Sequence, residues 1–413
     1  MNLTREQTTV RERVRQFAEA EIGPRVASME AARSLERELP RLIARQGWIG
    51  VTIPREYGGL EAGHVAKSVI DEELSRVSGA MGAAAQASQL GTAMIIHLGS
   101  DEQKRTWLPQ IAAGVCLPTI AVTEPGSGSH VLGVESTARR RGRGEYVLNG
   151  RKCFIGNSAI GDVHGIVVRT GKGTGAGSLS AFLVEADRPG LSLPRHRPGT
   201  GLHGFGFGEL VLDNVRVPAE NMIGDLGDGL TAALSSSTLY GKPNLTAVGL
   251  GIHQAIMDTT LLYAREHRRY GRPLEELPAV ERRLGEIKSN LMSARILAYD
   301  AVSRLDRGEP CDFELTNAKL TNADWVLESA RLAMEVHGAA GLDPAHHVER
   351  LERDARHIWA PAGTGDIHLK RLADLVTGRG RQHRQWSQIF AQPLTAPPHP
   401  APTAPVPLLE TLT

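Results

Sequence analysis

The ten residues AVTEPGSGSH, at positions 121–130, separate two parts of the chain that have different sequence patterns. Gly126 and Gly128 allow the backbone to approach a ligand closely, and Thr123 and Ser129 add hydroxyl groups. Such a loop offers backbone N–H groups to a phosphate or to the polar edge of a ring. An ordinary Gly/Ser turn has the same composition, so the loop alone does not define a ligand site.

The chain before this loop has a helical pattern. Apolar residues from Val10 to Ile22 recur at helical spacing, and the helical character continues over residues 8–110. Ser100 is a suitable N-cap, with Asp101 and Glu102 in the first turn of the helix that follows. We therefore predict an N-terminal α-helical domain over residues 1–115.

After the loop, short alternating segments replace the long periodic ones. They read as β-strands at 145–149, 152–155, 165–170, 179–185 and 208–217, and a further strand, PTIAV at 118–122, leads into the loop. The pair Asn149-Gly150 stands between two of these segments, which predicts a type I′ hairpin turn. We predict a middle antiparallel β-domain over residues 116–227.

The chain returns to helical periodicity after this region. One apolar stripe rises in alternating steps of four and three, as expected for a helix packed at a shallow angle in an antiparallel bundle: Val280, Leu284, Ile287, Leu291, Ala294, Ala298, Ala301 and Leu305. We predict a C-terminal four-helix bundle over 228–385, giving an α+β fold. The Pro-rich segment 386–413 is predicted to be a disordered tail, because it has too little apolar surface to bury.

Composition narrows the class of protein. The 413 residues are 41% apolar and 23% charged, and 47 Lys and Arg balance 46 Asp and Glu. We expect no nucleic-acid or membrane partner from this balance. The three cysteines are scattered without metal-type spacing, so we expect no metal and a reducing compartment. The polar N-terminus is not a signal peptide, and we expect a soluble cytoplasmic protein.

Two further stretches suit a ligand. REHRRYGRPL, at 265–274, groups His267 with Arg268, Arg269 and Arg272, which suits either a diphosphate or a helix C-terminus. MEVHGAAGL, at 334–342, ends a helix with small residues, and Gly338 suits a C-cap.

The order of these stretches resembles the acyl-CoA dehydrogenase family over about residues 5–380. Eight stretches carry the resemblance: PREYGGL (54–60), SDEQKRTWLPQIAAG (100–114), AVTEPGSGS (121–129), YVLNGRKCFIGNS (146–158), ELVLDNVRVPAENMIG (209–224), RRYGRPL (268–274), HGAAGL (337–342) and VERLERDAR (348–356). The resemblance implies FAD as cofactor, an acyl thioester as substrate and a homotetramer or homodimer. Part of each FAD site would then come from a neighbouring subunit.

The resemblance also assigns residues to the site. The expected FAD-binding residues are Ile120, Val122, Thr123, Ser129, Phe154, Gly156, His267, Arg268, Arg269, Tyr270, Glu335, Gly338, Thr364 and Asp366. The expected substrate-binding residues are Ser129, His130, Tyr240 and Lys242.

The chain departs from the family at the catalytic base, the group that removes the α-proton of the thioester. Most of the family carries a glutamate before Gly-Thr, where this chain has Ala362, and a minority carries it on a bundle helix, at a position we align with Gly241. Candidate replacements are Asp366, Glu335, His203 and Tyr240.

Other departures lie at the expected cofactor site. Phe154 replaces a tryptophan, Gly156 a threonine, His130 an aspartate and His267 an arginine.

Three functions remain open at this point. The first is an FAD-dependent oxidoreductase with a non-standard base, acting on a thioester of CoA or of a carrier protein, for example in polyketide or peptide assembly, and passing electrons to a separate acceptor. The second is a monooxygenase that depends on a separate flavin reductase. The third is a redox-neutral or non-catalytic member that binds a thioester or a partner.

Overall fold

The chain folds in three successive parts, helical, β and helical, in a computed structural model that describes residues 3–194, 198–379 and 385–391. The predicted α+β class is confirmed, with a largely antiparallel sheet between two groups of helices. The largest apolar core joins the N-terminal helices to one face of the sheet, and separate cores fill the C-terminal bundle.

The N-terminal part is a cluster of helices around a buried pair. Its α-helices are α1 (Arg5–Phe17), α2 (Val26–Ala32), α3 (Glu38–Arg45), α4 (Gly63–Val77), α5 (Gly79–Leu98) and α6 (Asp101–Ala112). Helices α4 and α5 are buried along most of their length, and the many Ala and Gly residues of α5 allow close packing. The predicted N-cap at Ser100 is confirmed, because Ser100 and Gln103 form a reciprocal capping box at the start of α6.

The middle part is a twisted sheet. Its strands are β1 (Pro118–Ala121), β2 (Thr137–Arg141), β3 (Glu145–Gly156), β4 (Val163–Arg169), β5 (Leu179–Glu185), β6 (Leu191–Ser192), β7 (Phe207–Pro218) and β8 (Met222–Ile223). The strand order is β6-β7-β3-β2-β4-β5-β8, with β1 on β4. Most pairs are antiparallel as predicted, but β1 lies parallel to β4, and β2 pairs in parallel with β4 at Thr137 and Arg169. The prediction of an antiparallel domain did not include these parallel pairs.

The predicted hairpin at Asn149-Gly150 is wrong. Strand β3 continues through both residues, and its pairing with β7 shifts register there. The Asn149 side chain accepts a hydrogen bond of 2.8 Å from the N–H of Asn214, which stands opposite in β7. A Cβ atom on Gly150 would lie 2.1 Å from Oγ of Ser136, so only glycine fits at this position. The glycine therefore serves a bulge in β3 and not a turn.

The C-terminal part is a helical bundle. It contains α7 (Gly229–Ser236), α8 (Lys242–Glu266), the short strands β9 (Arg268–Arg269) and β10 (Arg272–Pro273), α9 (Pro278–Asp306), α10 (Asp312–His337), α11 (Val348–Arg356) and α12 (Gly365–Val376). The predicted apolar stripe on α9 is buried from Ile287 to Leu305. Among the described residues, no helix is both long and apolar enough to cross a bilayer.

Helices α8 and α10 run side by side in the same direction. Three contacts at successive levels show this: Lys242 with Thr316, His253 with Ser329 and Tyr263 with His337. A residue near the start of α10 therefore lies beside the start of α8, and a residue near the end of α10 lies beside its end.

The expected tail needs a correction at its beginning. Residues Trp386–Phe390 form a short helix, α13, and the Trp386 side chain is buried against the bundle. Asp312 at the start of α10 accepts hydrogen bonds from the N–H groups of Trp386 and Ser387. An aromatic anchor and a capping carboxylate thus order a segment that composition alone assigned to the tail. The rest of that segment, 392–413, lies outside the described residues.

Candidate functional site

The loop after β1 is fixed by one buried ion pair. Lys152 Nζ lies 2.7 Å from Glu124 Oε1 and donates to the carbonyl oxygen of Val122 at 3.0 Å. The Glu124 carboxylate also accepts from the N–H groups of Glu135 and Ser136. Burial acts to raise the pKa of Glu124, but Lys152 and these hydrogen bonds outweigh burial and keep that pKa below its usual range. Glu124 belongs to the TEPGSGS motif, but its pairing with Lys152 was not predicted from the sequence.

The outer face of the same loop is open. A Cβ atom added to Gly126 or Gly128 would meet no atom within 4 Å. Ser129 and His130 are exposed, and Thr123 is half-buried at the inner end of the loop. The loop therefore presents hydroxyl and backbone groups to whatever binds there. Two further predicted residues, Ile120 and Val122, are half-buried beside it.

A second wall comes from the end of β3. Phe154 has a left-handed φ of 57° and leaves 64% of its surface exposed, with its ring centroid 5.4 Å from that of Phe207. The chain then turns towards α5: a Cβ atom on Gly156 would lie 2.9 Å from Cβ of Ala87. Asn157 anchors this turn by donating to the α5 backbone at 2.7 Å. The result is an exposed aromatic face beside a closely packed glycine.

The two positions of the missing base meet in space. A Cβ atom on Gly241 would lie 3.1 Å from Cβ of Ala362, and 3.7 Å from both Leu90 Cδ1 and Ser237 Oγ. We name these four residues, Leu90, Ser237, Gly241 and Ala362, the convergence point. Gly241 ends a π-helical turn between α7 and α8, and such turns are frequent at functional sites. Ala362 adopts a left-handed φ of 56°.

Helix α5 connects the aromatic wall to the convergence point. Ala87 contacts Gly156 and Leu90 contacts Gly241, and these two α5 residues are three positions apart. Residues at that spacing lie on one face of a helix, about 5–6 Å apart. The structure thus brings together Phe154, Gly156, Gly241 and Ala362, which sequence analysis had assigned separately.

Two of the candidate bases are committed to ion pairs elsewhere. Glu335 is exposed and pairs with Arg283 at 2.9 Å and with Arg331. It lies near the end of α10, roughly 30 Å along the bundle from Gly241 at 1.5 Å per residue. His203 is buried, with Nδ1 2.9 Å from Glu30 Oε2. These ion pairs do not support the expected role of Glu335 or His203 as a base. The position of Glu335 beside Arg283 also does not support its expected contact with the flavin ring of the same subunit.

Tyr240 and Lys242 flank Gly241 but point into packed regions. The Tyr240 hydroxyl donates to Thr52 Oγ1 at 2.9 Å, and Lys67 Nζ lies 3.9 Å from the centre of its ring. Burial raises the pKa of Tyr240 to about 12, so its hydroxyl is neutral at physiological pH and is not a base. Lys242 Nζ donates to Thr316 Oγ1 at 2.8 Å.

Asp366 is the remaining candidate base. It lies in the first turn of α12, four residues after Ala362, and is exposed. Within the described part of the chain, no hydrogen bond or ion pair engages its carboxylate. Thr364 is the residue that precedes α12, in extended conformation.

The predicted diphosphate-binding residues lie at the other end of the bundle. His267, Arg268, Arg269 and Tyr270 follow the end of α8, so they lie roughly 40 Å from Gly241 along that helix. Tyr270 is 92% exposed, and Gly338, with φ of 61°, ends α10 at the same level. One subunit therefore carries two separate groups of predicted cofactor residues.

The residues near the convergence point fit a flavin. They offer a loop with free backbone groups and no side chains at Gly126 and Gly128, an exposed aromatic ring at Phe154 and a hydroxyl at Thr123. A planar ring with polar edges and an attached phosphate needs these features. The three-part fold and this site together define a flavin-dependent oxidoreductase.

Comparison with known proteins identifies the family. The chain matches the acyl-CoA dehydrogenase N-terminal domain over residues 4–115, the middle domain over 119–215 and the C-terminal domain over 227–377. It is 33% identical over 379 residues to an acyl-CoA dehydrogenase of Bacillus subtilis, covering 92% of this chain and 100% of the relative. The chain belongs to the acyl-CoA dehydrogenase family, and FAD is its cofactor.

Two solved structures are similar over nearly the whole chain. The FAD complex of PigA has a TM-score of 0.87 and 26% identity, covering 92% of this chain and 100% of PigA. The prolyl acyl carrier protein oxidase AnaB has a TM-score of 0.86 and 26% identity, covering 91% of this chain and 100% of AnaB.

Proposed function

We propose that this protein oxidises an acyl thioester, carried by CoA or by a carrier protein, and that it does so without a carboxylate at either usual position. The observation that carries the proposal is the convergence point, where Gly241 and Ala362 face each other beside the wall formed by Phe154 and Gly156. Similarity to AnaB, a prolyl acyl carrier protein oxidase, supports a carrier-bound substrate. A role in specialised metabolism is part of the same proposal.

In this proposal the chain's own residues bind and orient two molecules. Thr123, Phe154 and Gly156 would hold the flavin ring, and the thioester would bind at the convergence point. FAD supplies a two-electron acceptor for the hydride that leaves the β-carbon. Leu90 and the methyl group of Ala362 exclude water from the reacting carbons.

The α-proton then needs another acceptor. We propose Asp366, acting directly or through one water molecule, because it is the candidate whose carboxylate is exposed, near Ala362 in the chain and free of an ion pair among the described residues. His130 and Ser129 at the open face of the loop are proposed to contact the thioester.

The second group of cofactor residues is proposed to serve a neighbour. His267, Arg268, Arg269, Tyr270 and Gly338 are mostly exposed and lie far from the convergence point of their own subunit. Arginine side chains bind phosphate oxygens well, so we propose that they contact the diphosphate of FAD bound to another copy in a homotetramer or homodimer.

Anaerobic mixing of the FAD-loaded protein with thioesters tests the proposal. Butyryl-CoA, prolyl carrier protein and the free acids are added separately, and flavin absorbance is followed. Bleaching by a thioester but not by the acid is expected, and Asp366→Asn should slow it by at least about tenfold. Bleaching by none of them would contradict thioester oxidation.

The same absence of a carboxylate favours a second candidate function. A monooxygenase supplied with electrons by a separate reductase needs no base at Gly241 or Ala362. It would show no bleaching with thioesters, but oxygen uptake coupled to product formation once a reductase and NADH are added.

A further inference from the structure

A group of buried oxygen atoms without hydrogen-bond partners lies where α4, α5 and α8 meet. The atoms are Oγ of Ser68 and of Ser75, both carboxylate oxygens of Asp71, Oε1 of Gln86 and Oδ1 of Asn244. None of them takes part in a hydrogen bond within residues 3–194, 198–379 and 385–391. Each of these residues is at most 8% exposed, so bulk water does not reach them. We name these five residues the junction cluster.

Three of the five residues lie on one face of α4. Ser68, Asp71 and Ser75 are spaced by three and four positions, which places their side chains in a row along the helix. That row faces α5, because a Cβ atom on Gly82 would lie 1.7 Å from Ser75 Oγ and 3.2 Å from the carbonyl oxygen of Asp71. Gln86 is one turn further along α5, on the same face as Gly82.

Asn244 of α8 closes the junction cluster from a third side. Its Nδ2 donates to the carbonyl oxygen of Gln86 at 3.3 Å and to Oε1 of Gln89 at 3.2 Å, so Asn244 lies directly against α5. Gln89 is in turn close enough to Asp71 for its amide to lower the pKa of that carboxyl. One series of neighbours therefore connects α8 through α5 to α4, and the oxygen atoms converge on the space between the three helices.

Asp71 is the residue of the cluster that can carry a charge. It is fully buried, and no ion pair engages it in the described part of the chain. Burial raises the pKa of Asp71 well above its usual range, an effect that the charge of Lys67 opposes. The Lys67 ammonium is engaged elsewhere, with Nζ 2.8 Å from His64 Nδ1 and 3.9 Å from the centre of the Tyr240 ring. A buried carboxylate without a partner is costly, so its ionised form needs a cation.

We propose that the junction cluster binds one alkali cation, Na⁺ or K⁺, with Asp71 as its charged ligand. Carboxylate and amide carbonyl oxygens are ligands that hard cations prefer, and Ser68, Gln86 and Asn244 supply neutral oxygens beside Asp71. A single carboxylate balances one positive charge, whereas a divalent ion near Lys67 would leave excess positive charge buried. Cysteine spacing, on which the expectation of no metal rests, does not bear on an ion that binds oxygen.

The cation site adjoins the convergence point. Gln89 precedes Leu90 in α5, and Asn244 lies one turn after Gly241 at the start of α8. A bound ion would hold α5 against α8 beside these residues and so support the position of Gly241 opposite Ala362. The inference goes beyond the proposed reaction, because the ion would stabilise the fold whether or not a thioester is oxidised.

Thermal unfolding of the full-length, FAD-loaded protein tests this site. Melting temperatures are measured at pH 8, because a proton competes with the ion for Asp71. NaCl or KCl replaces choline chloride at constant total salt, so that ionic strength does not change. Choline is too large for a buried site and serves as the inert cation. Asp71→Asn keeps the side-chain shape and removes the charge, and Asp300→Asn is the matched control at an exposed position of α9.

We expect the wild-type melting temperature to rise by about 2 °C for each tenfold increase in the favoured cation above half-occupancy, since a ligand of the folded state stabilises it by mass action. The salt with the larger effect identifies the ion. Asp300→Asn should show the same rise, and Asp71→Asn should show none. Equal wild-type melting temperatures in NaCl, KCl and choline chloride, or an unchanged rise in Asp71→Asn, would overturn the site.

A second variant decides the question if Asp71→Asn does not fold. Ser68→Ala removes one neutral ligand and keeps the carboxylate, so it should need at least about tenfold more cation for the same rise in melting temperature. The same cation dependence in Ser68→Ala and the wild type would contradict the assignment of the ligands. No part of this test uses a thioester, so a failure here is distinct from a failure of thioester oxidation.

Discussion

A Cβ atom on Gly241 would lie 3.1 Å from the Cβ atom of Ala362. Two residues separated by 121 positions thus meet at one point, and neither carries a group that accepts a proton. In this family each position is expected to supply the catalytic glutamate in different members, and the short distance explains why either can do so. This protein has lost both, so its proton acceptor must enter from another direction.

The buried pair under the TEPGSGS loop can be tested with adjacent residues. Lys152→Met leaves the Glu124 carboxylate buried without its cation, which should lower the free energy of unfolding by about 3–5 kcal/mol. Because this pair positions Val122 and Glu135, FAD affinity should fall as well. Urea unfolding and fluorescence titration with FAD measure both effects.

Arg151→Met is the control for that experiment. Arg151 is the preceding residue, and its pair with Glu209 is largely exposed, so its loss should cost no more than about 1 kcal/mol. Equal effects of the two substitutions would show that the loop does not depend on the buried pair.

The bulge in β3 predicts a strong dependence on glycine. Gly150 has φ of 148°, and its added Cβ atom would overlap both Oγ and the backbone of Ser136. Gly150→Ala should therefore destabilise the protein by at least about 2 kcal/mol. Gly144→Ala, in the turn before β3, meets no atom within 4 Å and should change stability by less than about 1 kcal/mol. Thermal unfolding of the two variants compares them directly, and similar melting temperatures would argue against the bulge.

Buried histidines predict acid sensitivity. His164 is fully buried, with Nδ1 2.7 Å from Thr119 Oγ1, and burial lowers its pKa to about 4 from an ordinary value of 6.5. Between these values the unfolded chain binds a proton that the folded protein does not, so stability is complete above pH 6.5 and falls as the pH drops towards 4. At about 1.4 kcal/mol per pKa unit, this histidine contributes a loss on the order of 3 kcal/mol.

Unfolding in urea at pH 7.5, 6, 5 and 4.5 measures this loss. His164→Gln should be less stable than the wild type at pH 7.5 but should show a shallower decline with acid. His347→Gln, at an exposed position, should decline as steeply as the wild type. A decline in His164→Gln as steep as that of the wild type would assign the acid sensitivity to other groups.

Much of the fold follows from patterns that act over a few residues. The stripe on α9, the capping box at Ser100 and the strand Leu179–Glu185 are encoded by spacing and local hydrogen bonds. The hairpin prediction at Asn149-Gly150 was wrong because the same dipeptide suits either a turn or a bulge. Contacts with Ser136 and Asn214, which are distant in the chain, determine that a bulge forms. The prediction of a disordered tail was wrong at Trp386 because the order of this segment depends on Asp312. The composition of the tail does not reveal that contact.

The site was less predictable than the fold. Family resemblance located Ala362 and Gly241, but only the folded chain shows that they meet, with Leu90 and Ser237 completing the point. His203 and Glu335 looked available in the sequence because their partners Glu30 and Arg283 are distant in the chain.

The most direct test of the account restores the base. Ala362→Glu adds a carboxylate at the convergence point without new backbone strain, because Ala362 already has a left-handed φ of 56°. Ala362→Gln is the matched control, with the same shape and no base. Both are mixed anaerobically with butyryl-CoA, and the rate of flavin bleaching is measured by stopped flow. The account predicts that Ala362→Glu bleaches at least about 100-fold faster than Ala362→Gln. Equal rates in the two variants would contradict the claim that the α-proton is removed at the point where Gly241 and Ala362 meet.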